Sequence, residues 1–192
     1  MTRRVFVPMM AAQRRPQARD LYYEPPQKQT LGLRYTLFRE VRGKWLEVPW
    51  AAPFRTGDHI RMLFESNTDG DLFLLTPAGQ GVWEPAAPNL PVAISPGRPY
   101  SLPATGLWVL EPPAGEDVLL LVFGRKGDAS LDRLMERARQ GSSAELIVQA
   151  QLRARDLVLE KEQAAQETTR YAVNPSPKMD AKVVVEVRIR HR

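Results

Sequence analysis

The 192-residue chain contains no cysteine. That removes disulfides, thiolate metal sites, a cysteine nucleophile and a lipid-bearing cysteine, and leaves the redox compartment open. Histidine is nearly as scarce: His59 and His191 are the only two. A metallohydrolase or a histidine-based triad would have to use one of them, and neither a G-x-S-x-G elbow nor an H-E-x-x-H helix is present. Glycine-rich phosphate loops are missing too, because the Thr-Gly and Asp-Gly elements connect strand to strand rather than strand to helix. No run approaches the roughly 18 apolar residues of a membrane span. Together these absences favour a non-enzymatic protein with no cofactor. A hydrolase built on a carboxylate pair stays open, since such a pair leaves no mark in sequence.

Hydrophobic residues make up 43% of the chain, enough for one core without a metal or disulfide staple. Proline is plentiful at 17 residues, well above the usual share of about 5%. Much of the chain is therefore expected in loops, strand edges and extended connections. The net charge of +5 gathers partly at the ends, at Arg3, Arg4, Arg14, Arg15 and Arg19 in front and Arg188, Arg190 and Arg192 behind. Such clusters hold phosphates or anionic lipid in some proteins, but without interleaved aromatics they read first as solvated termini and not as a nucleic-acid surface.

Residues 1–30 lack periodicity and carry Pro8, Pro16, Pro25 and Pro26, which predicts a flexible basic arm. Within it, Leu21, Tyr22 and Tyr23 form one compact apolar anchor that a protein partner could cover. The stretch VFVPMMAA at 5–12 follows Arg3-Arg4 but is short for a signal-peptide core and broken by Pro8. The location is expected to be cytoplasmic if the start is as given, and periplasm or cell envelope if an export signal precedes or overlaps residues 1–13.

From residue 31 the pattern is that of strands. Leu33, Tyr35 and Leu37 alternate with polar neighbours, Trp45 to Val48 follows an Arg42-Gly43 turn, and Ile60, Met62 and Phe64 alternate with His59, Arg61 and Glu65. Asp69-Gly70 between apolar runs predicts a hairpin turn, and Leu72 to Leu75 lacks alternation, as in a strand covered on both faces. Six prolines between Glu84 and Pro103 predict an edge-hugging loop with one short strand at 92–94. Leu107 to Leu110 and Val118 to Phe123 read as apolar strands, the latter at the centre of the core. Leu157 to Leu159, Tyr171 to Asn174 and Lys182 to Arg190 complete the strands. In the last, Val183, Val185, Val187 and Ile189 face one way and Lys182, Glu186, Arg188 and Arg190 the other. Helical spacing of Leu131, Leu134, Met135 and Ala138 behind a Ser130 cap, ended by Gly141, predicts one helix, and Ala144 to Arg155 a second. The expectation is a mainly β protein: an antiparallel β-sandwich of about eight short strands over residues 31–192, with an inserted helical pair near 130–155 within 128–156.

Asn67, Asp69 and Asp71 present oxygens at alternate positions, which invites a calcium reading. An EF-hand loop starting at Asn67 would need Gly at its sixth position and Glu at its twelfth, where the chain has Leu72 and Ala78. Turn chemistry explains the same residues with one assumption fewer. Among the four tryptophans, Trp108 lies in an apolar strand, whereas Trp50 and Trp83 border loops and are the candidates for an exposed partner- or sugar-stacking surface.

The succession LGLRYTLFRE, FRTGDHIRMLFESNTDGDLFLL, GVWEPAAPN and a strand ending in VLLLVF resembles the bacterial "domain of unknown function 4384" family over about Leu31 to Phe123, and RYAVNP with VVVEVRIRH resembles the ending of its longer members. Asp71 stands where that family usually carries an aromatic residue, and Ala86-Ala87 replaces its apolar pair. The resemblance implies a non-catalytic accessory sandwich that binds a protein partner in a cell-surface, signalling or secretion assembly. A sandwich binding envelope glycan is the alternative.

Overall fold

The computed structural model describes residues 16–24, 30–79, 82–87, 89–141, 150–151, 154, 157–159 and 167–192. Strand outweighs helix, as the alternation requires. Eleven-residue β1 (Leu31–Val41) turns back into β2 (Lys44–Glu47) through Arg42 and Gly43. Both turn residues have positive φ, 53° and 76°, the pair that a two-residue hairpin matched to strand twist demands. β3 (His59–Ser66) pairs with the other edge of β1, placing Tyr35 opposite Phe64 and Leu37 opposite Met62.

β4 (Gly70–Gly79) does not pair with β3. The Asp69-Gly70 hairpin is corrected: here the chain leaves one sheet and enters the other. Gly70 is needed for close approach rather than for a turn, since a Cβ there would lie 2.2 Å from the Gly124 carbonyl oxygen and 2.5 Å from the Phe123 ring.

The remaining strands are β5 (Val82–Pro85), β6 (Val92–Ile94), β7 (Tyr100–Leu102), β8 (Trp108–Val109), β9 (Gly115–Arg125), β10 (Val158–Leu159), β11 (Thr169–Asn174) and β12 (Lys182–His191). They assemble into two antiparallel sheets. The first runs β10-β11-β1-β3-β7 with β2 on β1 and β8 on β3; the second runs β12-β9-β4-β5 with β6 on β4. Among the described residues there are twelve strands, more than the eight or so expected, in part because the proline-rich stretch contributes β5 and β7 beside the expected β6. Each lies at a sheet edge, where a missing N–H donor costs nothing.

Between the sheets, Leu33, Leu37, Met62 and Phe64 meet Leu72, Leu74, Leu121, Phe123, Val183, Val185 and Val187. The outer side of the second sheet is buried as well along β4 and the centre of β9. α2 (Ala129–Arg139) lays Leu131, Leu134 and Ala138 on Phe73, Leu75, Leu120 and Val122, so β4 and the centre of β9 are covered on both faces. The helix is capped by Asp128, not Ser130: the carboxylate accepts the Ser130 N–H at 2.9 Å. It ends at Gly141, φ 67°. The expected second helix, 144–155, falls mostly outside the described residues; Ala150 and Ala154 pack beside α2, and the Ala154 N–H donates to the Ala150 carbonyl at 3.1 Å. Among the described residues no helix is long and apolar enough to cross a membrane.

Part of the expected arm belongs to the fold. α1 (Ala18–Tyr22) rests on Tyr171 and Val173 at one end of the first sheet's outer face, burying Ala18, Leu21 and Tyr22 together. Asn67 holds it there: its Oδ1 accepts the Gly32 N–H at 2.7 Å, and its Nδ2 donates to Thr30 Oγ1 at 3.0 Å and the Tyr22 carbonyl at 3.4 Å. Residues 1–15 and 25–29 of the arm lie outside the described residues. At the other end of the chain His191 is no tail residue; its buried ring sits 3.0 Å from Thr56 Oγ1 and 3.3 Å from Asp117.

Candidate functional site

The outer face of the first sheet is where the covering stops. Alternation on β1 sends Leu33, Tyr35 and Leu37 into the core and Arg34, Thr36, Phe38 and Glu40 outward; on β3 it sends out His59, Arg61, Leu63 and Glu65. Register then matches them across the strands: Arg34 donates to Glu65 at 2.5 Å, Phe38 stands opposite Arg61, and Glu40 bonds His59 Nδ1 at 2.7 Å. β2 adds Trp45 opposite Glu40. At the centre the Arg61 guanidinium lies 4.2 Å from the Trp45 ring centroid and 5.8 Å from that of Phe38. Contact with two rings orients the cation, while Phe38, Trp45, Arg61 and Leu63 all remain half-exposed. α1 covers only the far end, at Tyr171 and Val173. There burial pushes the Tyr22 phenol up, and burial together with the Tyr23 hydroxyl contact raises Tyr171 to about 12, so both phenols are neutral at physiological pH.

The residues singled out in the sequence fare differently. Leu21 and Tyr22 are spent on docking α1, and of the three only Tyr23 is exposed, at 62%, with its hydroxyl 3.3 Å from that of Tyr171. Trp50 is corrected from exposed to buried: its ring packs edge-on against Tyr35 at 5.3 Å, its Nε1 donates to the Thr168 carbonyl at 2.9 Å, and Arg170 covers it at 4.9 Å. Trp83 is half-buried beside α2, on the opposite sheet. Trp50 and Trp83 therefore form no common platform. Trp45, to which the sequence attaches no special weight, is the exposed aromatic that matters. Its signal was the pairing of one β1 face with both β2 and β3, which brings Arg61 between two rings.

A second cluster sits at the start of α2, where Lys182 Nζ donates to Asp128, to Ser130 Oγ at 2.9 Å and to the Asp180 carbonyl at 3.1 Å. The neighbouring hollow, about 420 Å³, is also lined by Arg133 and Met179. Serine beside lysine suggests nucleophile and base, but an ammonium that spends all three protons on acceptors has no lone pair to offer. Burial pushes the Asp128 carboxyl up, and the bonds from Lys182 and Ser130 outweigh it and hold it below its ordinary range. The cluster locks α2 onto β12, so Lys182, expected outside, is buried.

Among the described residues no three His, Asp or Glu side chains converge as metal ligands would. No family model, curated protein or solved structure matches the chain.

Proposed function

We propose that the protein is a non-enzymatic β-sandwich interaction module that binds a protein partner in a bacterial cell-surface, signalling or secretion assembly. One observation carries the reading: the uncovered half of the first sheet presents a fixed, half-exposed Trp45–Arg61–Phe38 stack ringed by ion pairs. Tryptophan and arginine dominate the energetic centres of protein interfaces, and a polar rim around an aromatic centre is their usual anatomy. The family resemblance supports the same reading. Burial of Trp50 takes away the paired-tryptophan platform on which the glycan alternative rested.

The test is crosslinking capture from the native organism with wild type, Trp45→Ala and Arg61→Glu, read by mass spectrometry beside melting curves. A partner captured by wild type and lost from both variants, with Tm changed by no more than a few degrees, is the expected outcome. Retention of every wild-type partner by both variants would remove this face from the reading.

A further inference from the structure

At the end of the sandwich, beside but not within the open face, a hollow of about 480 Å³ is walled by Arg39, Arg42, Arg55 and Arg192 together with Glu40 and Asp58. We propose that it is a binding site for a multiply charged phosphate group, free or on a carrier.

The charges around the hollow are unevenly matched. Arg39 lies over the Phe54 ring at 5.6 Å and its Nη1 donates to the Pro53 carbonyl at 3.2 Å and to Asp58 at 3.4 Å. Asp58 also accepts the Arg55 N–H at 2.9 Å, and Glu40 is bonded to His59. Both carboxylate side chains in the wall thus have partners. The guanidinium groups of Arg42, Arg55 and Arg192, all exposed, have none among the described residues. The contrast with the neighbouring arginines is informative: Arg188 and Arg190 both bond Glu116, at 2.5 and 2.6 Å.

Four guanidinium groups share this wall with only two carboxylates, and the excess positive charge costs repulsion that an anion would relieve. Guanidinium forks suit phosphate oxygens, two to a group. The frame is also preorganised. Arg42 is set by the tight β1–β2 turn, Arg55 by the Asp58 bonds, and Arg192 by its N–H to the Phe54 carbonyl (3.3 Å) and its carbonyl to the Thr56 N–H (3.1 Å). Three chain segments thus fix the backbones that carry these cations before a ligand binds, so the ordering cost of binding falls on the side chains alone. The hollow lies within the ordinary range for small-ligand sites, about 300–1,000 Å³, and has room for more than one phosphate unit.

The experiment titrates the full chain with pyrophosphate at constant ionic strength, by calorimetry and by melting, using Arg42→Asn, Arg55→Ala and the double variant. Asparagine tolerates the left-handed turn position, and both side chains are exposed, so the fold is kept. Saturable binding with a rise in Tm is expected, weakened at least tenfold by each single change and abolished by both. Co-sedimentation with vesicles of anionic phospholipid, lost in the double variant, would identify a lipid headgroup as the source; pyrophosphate binding without co-sedimentation identifies a free phosphate compound. Absence of saturable binding, an equal Tm rise in the double variant, or an equal rise from chloride at matched ionic strength would each overturn the proposal.

Discussion

The outer faces of the two sheets are built to opposite rules. On the second sheet Phe73, Leu75, Leu120 and Val122 point outward and are covered by Leu131, Leu134 and Ala138 of α2. On the first sheet Arg34, Phe38, Arg61 and Leu63 point outward, and α1 covers only the end beyond them. The covered face holds the molecule together, and the open face is left to solvent. A strand buried on both sides loses alternation, whereas one with a free side keeps it. That is why LFLL and VLLLVF run unbroken while HIRMLFES alternates, and why surface-exposed chemistry concentrates on the alternating strands.

The sharpest way to break this comparison is to remove one phenylalanine from each outer face. Phe73→Ala opens a cavity beneath α2 and should cost about 3–5 kcal/mol. Phe38→Ala removes a half-exposed ring, and the loss should stay near 1 kcal/mol because less area leaves the protein interior. Chemical denaturation with equal m-values would measure both. Equal losses would mean that the first sheet's outer face is as structural as the second's.

The Asp128–Lys182 lock tests the covered side by charge rather than volume. Lys182→Ala strands a carboxylate and should destabilise by about 3 kcal/mol, the low end for a broken buried pair, because the adjoining hollow admits water. The Asp128 carboxyl is held below its ordinary value of 3.8, so it contributes stability that is present above that value and lost as pH falls through the lower folded value. The gap between wild type and variant should therefore close in acid, once Asp128 is neutral in both proteins. A gap that is the same at pH 7 and at pH 3 would mean that Lys182 matters only as packing.

Long periodic runs made much of this fold legible: β1, β3, the centre of β9 and β12 all follow from alternation or its loss. Pairing was less legible. Asp69-Gly70 has the residues of a tight turn, and nothing local distinguishes a hairpin from a crossing between sheets; the requirement at Gly70 comes from Gly124 and Phe123, more than fifty residues away. α1 is one turn long, too short for periodicity, and its docking depends on Asn67 and Tyr171. The candidate site suffers most from this. Trp50 looks like a loop residue until Thr168 and Arg170 are placed over it, and Trp45 gains its neighbour Arg61 only through the register of three strands. The hollow at Arg39, Arg42, Arg55 and Arg192 joins residues from three regions that sequence treats separately.

The smallest effect is expected at Asp71, a charged residue on the covered side of β4. It shares β4 with Phe73 and Leu75, beside α2, where burial and then the charge of Asp132 raise its carboxyl, with Lys126 opposing. A raised carboxyl means that folding disfavours its charged form, so above the ordinary value of 3.8 it subtracts from stability, and the penalty is relieved as pH falls. Asp71→Asn keeps the shape and removes the charge. At pH 7 it should raise Tm slightly, by less than the Phe38→Ala loss, because the side chain is partly solvated and the repulsion screened. The gain should shrink in acid as wild-type Asp71 becomes protonated. A fall in Tm at pH 7 would show instead that the carboxylate is stabilised where it stands, with Lys126 outweighing Asp132, and that the edge of the covered face is held by charge as the open face is.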